Sequence, residues 1–271
     1  MPVTFGINHM TAPGMRYDAL LDLAVTMGAV GVEFRNDLST PLFDGHAPAL
    51  VADAARSRGI RILALAEVKA FNDYSPAKAA EAAALIATAK ACGAEAVSLI
   101  PRNDGWGVGD ARDNLRRALD GLLPMLRGAG MTGLVEPLGF AVSSLRSKAD
   151  AVAVITEMDA GDTIRIVHDT FHHTLAGGGP LYAEHTGLVH ISGVTDPAPG
   201  IDDMTDAHRV LVDEGDRLGN LQQISALKLD GYTGPFSFEP FSPQVHALAN
   251  PASALAASMK FITNGLSRQA A

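Results

Sequence analysis

The chain has 271 residues, 47% of them hydrophobic and 19% charged, and its formal net charge is −9. That balance builds a large core, while the acid excess, with no cluster of Lys or Arg, excludes the electrostatic footprint of a nucleic-acid binder. A single cysteine, Cys92, excludes an internal disulfide and suits a reducing compartment.

The opening stretch MPVTFGINHMTAPG has neither the basic region nor the apolar core of a secretory signal. A short β-branched run followed by an amphipathic helix then recurs along the chain. The predicted pairs are a strand at 3–7 with a helix at 17–27, 31–34 with 46–58, 60–66 with 76–92, and 94–100 with 111–127. The second half gives 132–136 with 148–158, 163–169 with a short helix at 181–185, 188–192 with 220–229, and 235–239 with 251–262. Ser75-Pro76 supplies an N-cap and a first-position proline, and Ser147 is a second good cap. Glycines 28, 59, 93, 130, 187 and 231 sit where helices are expected to end. Cys92, in A-K-A-C-G-A at the end of the third helix, is expected to be a buried thiol.

Eight such units, with strands too apolar to face water on one side, predict a parallel sheet covered by helices. The count fits an α/β fold of the (β/α)8 TIM-barrel type, a single domain over residues 1–271. The rival is an open doubly wound sheet, but no G-x-G-x-x-G follows the first strand and no G-x-x-x-x-G-K-[ST] occurs. The Gly177–Gly179 run is read as a flexible loop. No uncharged apolar run reaches the roughly 18 residues of a membrane span, so the expectation is a cytoplasmic protein with no membrane partner.

In such a barrel the C-terminal strand ends converge on one face, which carries the active site. Strand five ends T-G-L-V-E with Glu136, strand six I-R-I-V-H-D with Asp169, strand seven G-L-V-H with His190, and strand eight P-F-S-F-E with Glu239. Each alone has an ordinary explanation, a helix cap or a hydrogen-bonded core histidine. Together, three carboxylates beside one imidazole at buried strand ends repel unless a cation lies between them. The set suits one divalent ion, Mn, Co, Mg or Zn, without selecting strongly among them. Pro137 and Pro240 follow the two glutamates and keep each strand extended up to its ligand.

The pattern E-P, D-x-x-H, H-I-S and F-E-P at strand ends five to eight resembles the sugar isomerase/epimerase barrels related to xylose isomerase, over essentially the whole chain. Within that family, I-N-H-M-T-A-P, G-V-E-F-R-N-D-L and D-A-H-R-V-L-V-D-E-G resemble the inosose (2-keto-myo-inositol) isomerases. The resemblance implies that Glu136, Asp169, His190 and Glu239 bind the metal and that Glu136 and Glu239 are the acid/base pair. It also implies that His172, three residues after Asp169, contacts substrate. His168 is expected to point toward the helices, and His173 is left at the surface or behind the site. Many relatives carry an arginine six residues after the strand-seven histidine; here that residue is Asp196, and Arg209 is the counterpart in the inosose isomerases' longer loop. That loop here reads V-D-E-G-D-R-L-G-N instead of continuing into P-G-x-G.

The implied reaction is proton transfer through an enediolate, converting 2-keto-myo-inositol to 1-keto-D-chiro-inositol, with the metal polarising the carbonyl. The same scaffold also suits a ketose 3-epimerase, a hydroxypyruvate isomerase or an inosose dehydratase. An endonuclease IV-like repair protein needs a multi-zinc cluster and a basic surface, and a non-catalytic carbohydrate binder has no use for an acid/base pair. The partner expected is a sugar or cyclitol, with a homo-oligomer left open. His9 and Lys69 are candidate hydroxyl donors, Trp106 a candidate apolar wall or a helix-packing residue, and at least one of Glu33 and Arg35 a member of a structural ion pair.

Overall fold

Strand β1 (Phe5–Asn8) turns Phe5 and Ile7 outward into the core beneath the helices, and its alternation sends Gly6 and Asn8 the other way. The computed structural model describes residues 3–105 and 109–269. It repeats this device through β2 (Gly31–Arg35), β3 (Arg61–Lys69), β4 (Ala96–Ile100), β5 (Thr132–Val135), β6 (Ile164–Asp169), β7 (Thr186–Ile191) and β8 (Phe236–Phe238). Every neighbouring pair is parallel, and β1 pairs with β8, so the sheet closes as a (β/α)8 barrel in simple sequence order. Closure removes both sheet edges, which an open doubly wound sheet would leave.

The helices are α1 (Tyr17–Met27), α2 (Pro48–Ser57), α3 (Pro76–Cys92), α4 (Ala111–Ala129), α5 (Lys148–Glu157), α6 (Thr170–Leu175), α7 (Asn220–Leu229), α8 (Pro243–His246) and α9 (Pro251–Gln269). Ser75 Oγ accepts from the Lys78 N–H at 3.2 Å and Ser147 Oγ from the Asp150 N–H at 3.1 Å, so both expected caps form. Cys92 is buried at the end of α3, and burial pushes its thiol up to about 11. Among the described residues no helix is long and apolar enough to cross a membrane.

Two expectations are corrected. The sixth helix is not at 181–185, where only a single 3-10 turn, Ala183–His185, forms. It starts at once after β6, because Asp169 Oδ1 accepts the His172 N–H at 2.8 Å and caps it. Gly187 ends no helix: it lies within β7, where a Cβ would come 2.7 Å from both Arg165 Cβ and Leu134 Cδ2. The glycine there answers close strand packing, not a left-handed turn.

Inside the barrel the lower layer is apolar. Leu63, Ala96, Leu134, Val167 and Leu188 pack together there. One pleat higher, toward the C-terminal strand ends, the same inward positions become Asn8, Glu33, Ser98, Glu136, Asp169, His190, Ser237 and Glu239, all buried. The floor is apolar and the layer above it polar.

Candidate metal centre

The register of β6 and β7 sets Asp169 directly beside His190, and that of β7 and β8 sets His190 beside Ser237, two residues before Glu239. Glu136 follows β5 and Glu239 follows β8. One ligating atom from each of Glu136, Asp169, His190 and Glu239 lies within 4.8 Å of the others, and all four residues are buried. Among the described residues this is the one such cluster.

The histidine shows how the cluster suits a cation. His190 Nε2 is 3.0 Å from Glu33 Oε2, so the ring donates there and its tautomer is set. Its other nitrogen, Nδ1, is buried without a well-formed hydrogen bond. Nδ1 faces Glu239 Oε2 at 3.1 Å and Glu136 Oε1 at 3.6 Å. A lone pair turned into a nest of carboxylate oxygens is a donor set that a divalent ion would complete. Burial disfavours the charged imidazole, but Glu239, Glu33 and Glu136 overcome it and push the His190 pKa well up. A bound cation would take the place of that proton.

The two glutamates are held differently. Glu239 Oε1 accepts from Arg35 Nη1 at 2.8 Å and Asn8 Nδ2 at 3.2 Å, and Oε2 accepts from Arg209 Nη2 at 2.9 Å. Burial alone would raise its pKa; His190, Arg209 and Arg35 outweigh that and keep it ionised. Glu136 has no such clamp. Its nearest side-chain nitrogens are His190 Nδ1 and His172 Nε2, the latter at 4.0 Å.

Above the cluster opens a cavity of about 360 Å³ whose walls include Arg35, Glu67, Lys69, Glu136, His172, Arg209, Glu239 and Phe241. His172 and Lys69 therefore face the same space as the glutamates. Arg209, 1% exposed, does so too: its Nη2 bridges Asp169 Oδ2 at 2.6 Å and Glu239 Oε2, and its plane stacks 4.5 Å over Phe241. Asp169 thus uses Oδ1 to cap α6 and Oδ2 to hold Arg209.

His9 is placed elsewhere. Its Nε2 lies 2.8 Å from the Met15 carbonyl and its ring meets Phe34 edge-on, so it is not among the residues lining the cavity. Asp196 Oδ1 accepts the Ala198 N–H in an exposed turn. Trp106 lies outside the described residues. His168 does point outward, with Nδ1 2.8 Å from Lys148 Nζ on α5 and Nε2 2.8 Å from Gln223 Oε1 on α7. His173 is no surface residue; it is buried on α6, its ring centroid 4.9 Å from that of His168. Of Glu33 and Arg35, at least one is expected in a structural ion pair, and Arg35 is ion-paired to Glu239 and to Asp37. Sequence reasoning missed that Glu33 orients His190; the signal was its inward position on β2, in line with the other four.

The eight-stranded parallel barrel thus carries a carboxylate–imidazole cluster at the ends of strands five to eight. The family model for the xylose isomerase-like TIM barrel matches residues 21–265, and the chain belongs to that family. It is 32% identical to a xylose isomerase domain-containing protein from Salmonella typhimurium LT2, with both chains fully covered and a TM-score of 0.88. At 19% identity and a TM-score of 0.81 it is similar in fold to an IolI protein crystallised with a zinc atom, covering 98% of this chain and 99% of that one. A D-psicose 3-epimerase from Clostridium cellulolyticum H10, with D-tagatose, shares the fold at 13% identity and a TM-score of 0.73, over 97% and 99% of the chains. No curated protein matches the chain.

Proposed function

We propose that the protein is a divalent-metal-dependent isomerase of polyhydroxy ketones, and that its substrate is a keto-inositol, 2-keto-myo-inositol giving 1-keto-D-chiro-inositol. The observation that carries this reading is the pair of buried carboxylates, Glu136 and Glu239, 3.6 and 3.1 Å from His190 Nδ1 and both in the wall of one cavity. Glu136, Asp169, His190 and Glu239 would hold the ion. When bound, it supplies Lewis-acid polarisation of the substrate carbonyl and positive charge for the enediolate.

The remaining work falls to the chain. Arg35 and Asn8 fix Glu239 through one oxygen, so its other oxygen keeps a constant direction. A carboxylate kept ionised is ready to take a proton from the carbinol carbon next to the carbonyl. Glu136, free of such clamps, gives a proton to the former carbonyl carbon. The hydroxyl proton passes from the carbinol oxygen to the carbonyl oxygen through solvent, and exchange with solvent returns Glu239 and Glu136 to their starting protonation. His172 Nε2 and Lys69 reach substrate hydroxyls, and Arg209 orients the substrate from a position fixed by Phe171, Phe241 and Asp169. The apolar layer below closes the site to water from beneath.

The test is a metal-replete assay against inososes, free ketohexoses and hydroxypyruvate, read by NMR. Turnover of an inosose to its positional isomer supports the reading. Turnover of a ketohexose alone assigns a 3-epimerase, loss of water from inosose assigns a dehydratase, and no turnover of any polyhydroxy ketone removes the proposal.

A further inference from the structure

A second cavity, of about 270 Å³, has Asp169 and His172 in its wall, and the mechanism above does not use it. Its wall includes the first turn of α5, Ser147, Lys148 and Ala149, together with Arg146, His173 and Tyr182. Three kinds of hydrogen-bond donor meet there. The Lys148 and Ala149 N–H groups that open α5, a helix of 10 residues, have no acceptor within the helix and lie at its positive dipole end, while the Asp150 N–H is taken by Ser147 Oγ. Lys148 Nζ spends one N–H on His168 Nδ1, leaving two. Arg146 spends Nε and Nη2 on the carbonyls of Gly139 and Leu175, leaving Nη1.

His173 supplies the independent sign of a ligand. It is 8% exposed, lines this cavity, and its Nδ1 is buried without a hydrogen-bond partner among the described residues. A buried imidazole left unsatisfied is costly unless something fills its site. The one acid in the wall, Asp169, has its oxygens engaged by the His172 N–H and Arg209. Burial lowers Lys148 to about 7 against the pull of Asp169, which is the state of an amine that lacks a counter-charge.

We propose that this cavity is a binding site for a phosphate-class oxyanion, free or as the phosphate of a small phosphomonoester, held by the N-terminus of α5, Lys148, Arg146 and His173. The site shares only Asp169 with the four metal-type residues and does not depend on which ketone they act on.

The test is calorimetric titration of the full-length, metal-loaded protein with inorganic phosphate and, separately, with an inositol monophosphate. One saturable site per chain is expected. Lys148→Met removes a charge-assisted donor and should weaken binding about tenfold. Ala149→Asp places a carboxylate at the helix N-terminus, which suits the dipole and keeps the fold, yet repels the anion; binding should be lost while thermal stability holds or rises. Binding of the ester but not of phosphate, lost in the same two variants, assigns the site to an esterified ligand. Equal loss of both assigns it to the anion itself. Binding that survives Ala149→Asp but disappears in His190→Ala places the phosphate at the metal cluster and overturns the proposal, as does the absence of saturable binding by either probe.

Discussion

Replacing Glu33 by glutamine isolates the one interaction that sets the His190 tautomer. Glu33 is fully buried, with Oε2 3.0 Å from His190 Nε2 and Oε1 accepting from Ser237 Oγ. Glutamine keeps the shape: its amide oxygen still accepts from the ring, and its NH₂ donates to the serine oxygen. What disappears is the charge. A charge-assisted hydrogen bond contributes about 1.5–3 kcal/mol and a neutral one about 0.5–1.5, so about 1–1.5 kcal/mol of ligand orientation is lost. That converts to about tenfold in metal affinity, the low end of the 10–100-fold that partners behind a ligand usually carry. Competition with a fluorescent chelator reads the affinity, and circular dichroism confirms the fold. An affinity within about twofold of wild type, in a folded variant, would refute the assignment of Glu33 as the partner that turns Nδ1 into the site.

Other outcomes follow from the same geometry. Arg209→Lys keeps one charge but not the fork that joins Asp169, Glu239, Asp206 and Ser192, and should lower kcat by about tenfold or more while the ion is retained; steady-state kinetics at matched metal occupancy check this. Gly139→Ala would drive a Cβ into the His172 carbonyl and to 2.6 Å from Leu175 Cβ, displacing α6 at a cost of about 1–3 kcal/mol with a raised KM, read by urea denaturation and kinetics. Burial first, then Lys148, lowers His173 from its ordinary 6.5 to about 4. Between those values the unfolded chain takes up a proton that the folded one refuses, so stability falls on acidification, by at most about 1.4 kcal/mol per pH unit for one such group. His173→Gln should flatten the pH dependence of the denaturation midpoint in that window, and an unchanged slope would count against it.

The fold was legible because its signals are local and repeated. Eight apolar runs, two serine caps and several helix-ending glycines each state their own geometry, and Gly28, Gly93 and Gly130 do take left-handed φ of 64°, 73° and 66°. The sixth helix was misplaced because Asp169 serves as strand end, helix cap and cluster member at once, and T-F-H-H-T-L shows too little periodicity to mark a helix of 6 residues. Glu136, Asp169, His190 and Glu239 were legible since each terminates a strand, and strand ends on one barrel face must converge. Their supporting partners were not. Arg35 reaches Glu239 across 204 residues of sequence and Glu33 reaches His190 across 157, contacts that exist only after the barrel closes. His9 misled for the complementary reason: it directly follows β1, but Met15, six residues on, takes its nitrogen before any substrate could.

The central claim is that Glu136 and Glu239 move a proton between neighbouring substrate carbons, and solvent isotope wash-in tests it most directly. The metal-loaded protein is incubated in D₂O with the ketone it turns over, and the hydrogen on the carbon beside the carbonyl is followed by NMR. Glu239 after taking its proton and Glu136 before giving one both exchange with solvent, so deuterium should appear at that position in wild type. Glu136→Gln and Glu239→Gln, nearly isosteric but unable to accept a proton, should stop it. Complete retention of the substrate's own hydrogen during turnover, at every pH and substrate concentration, would contradict the account and point to a hydride shift instead.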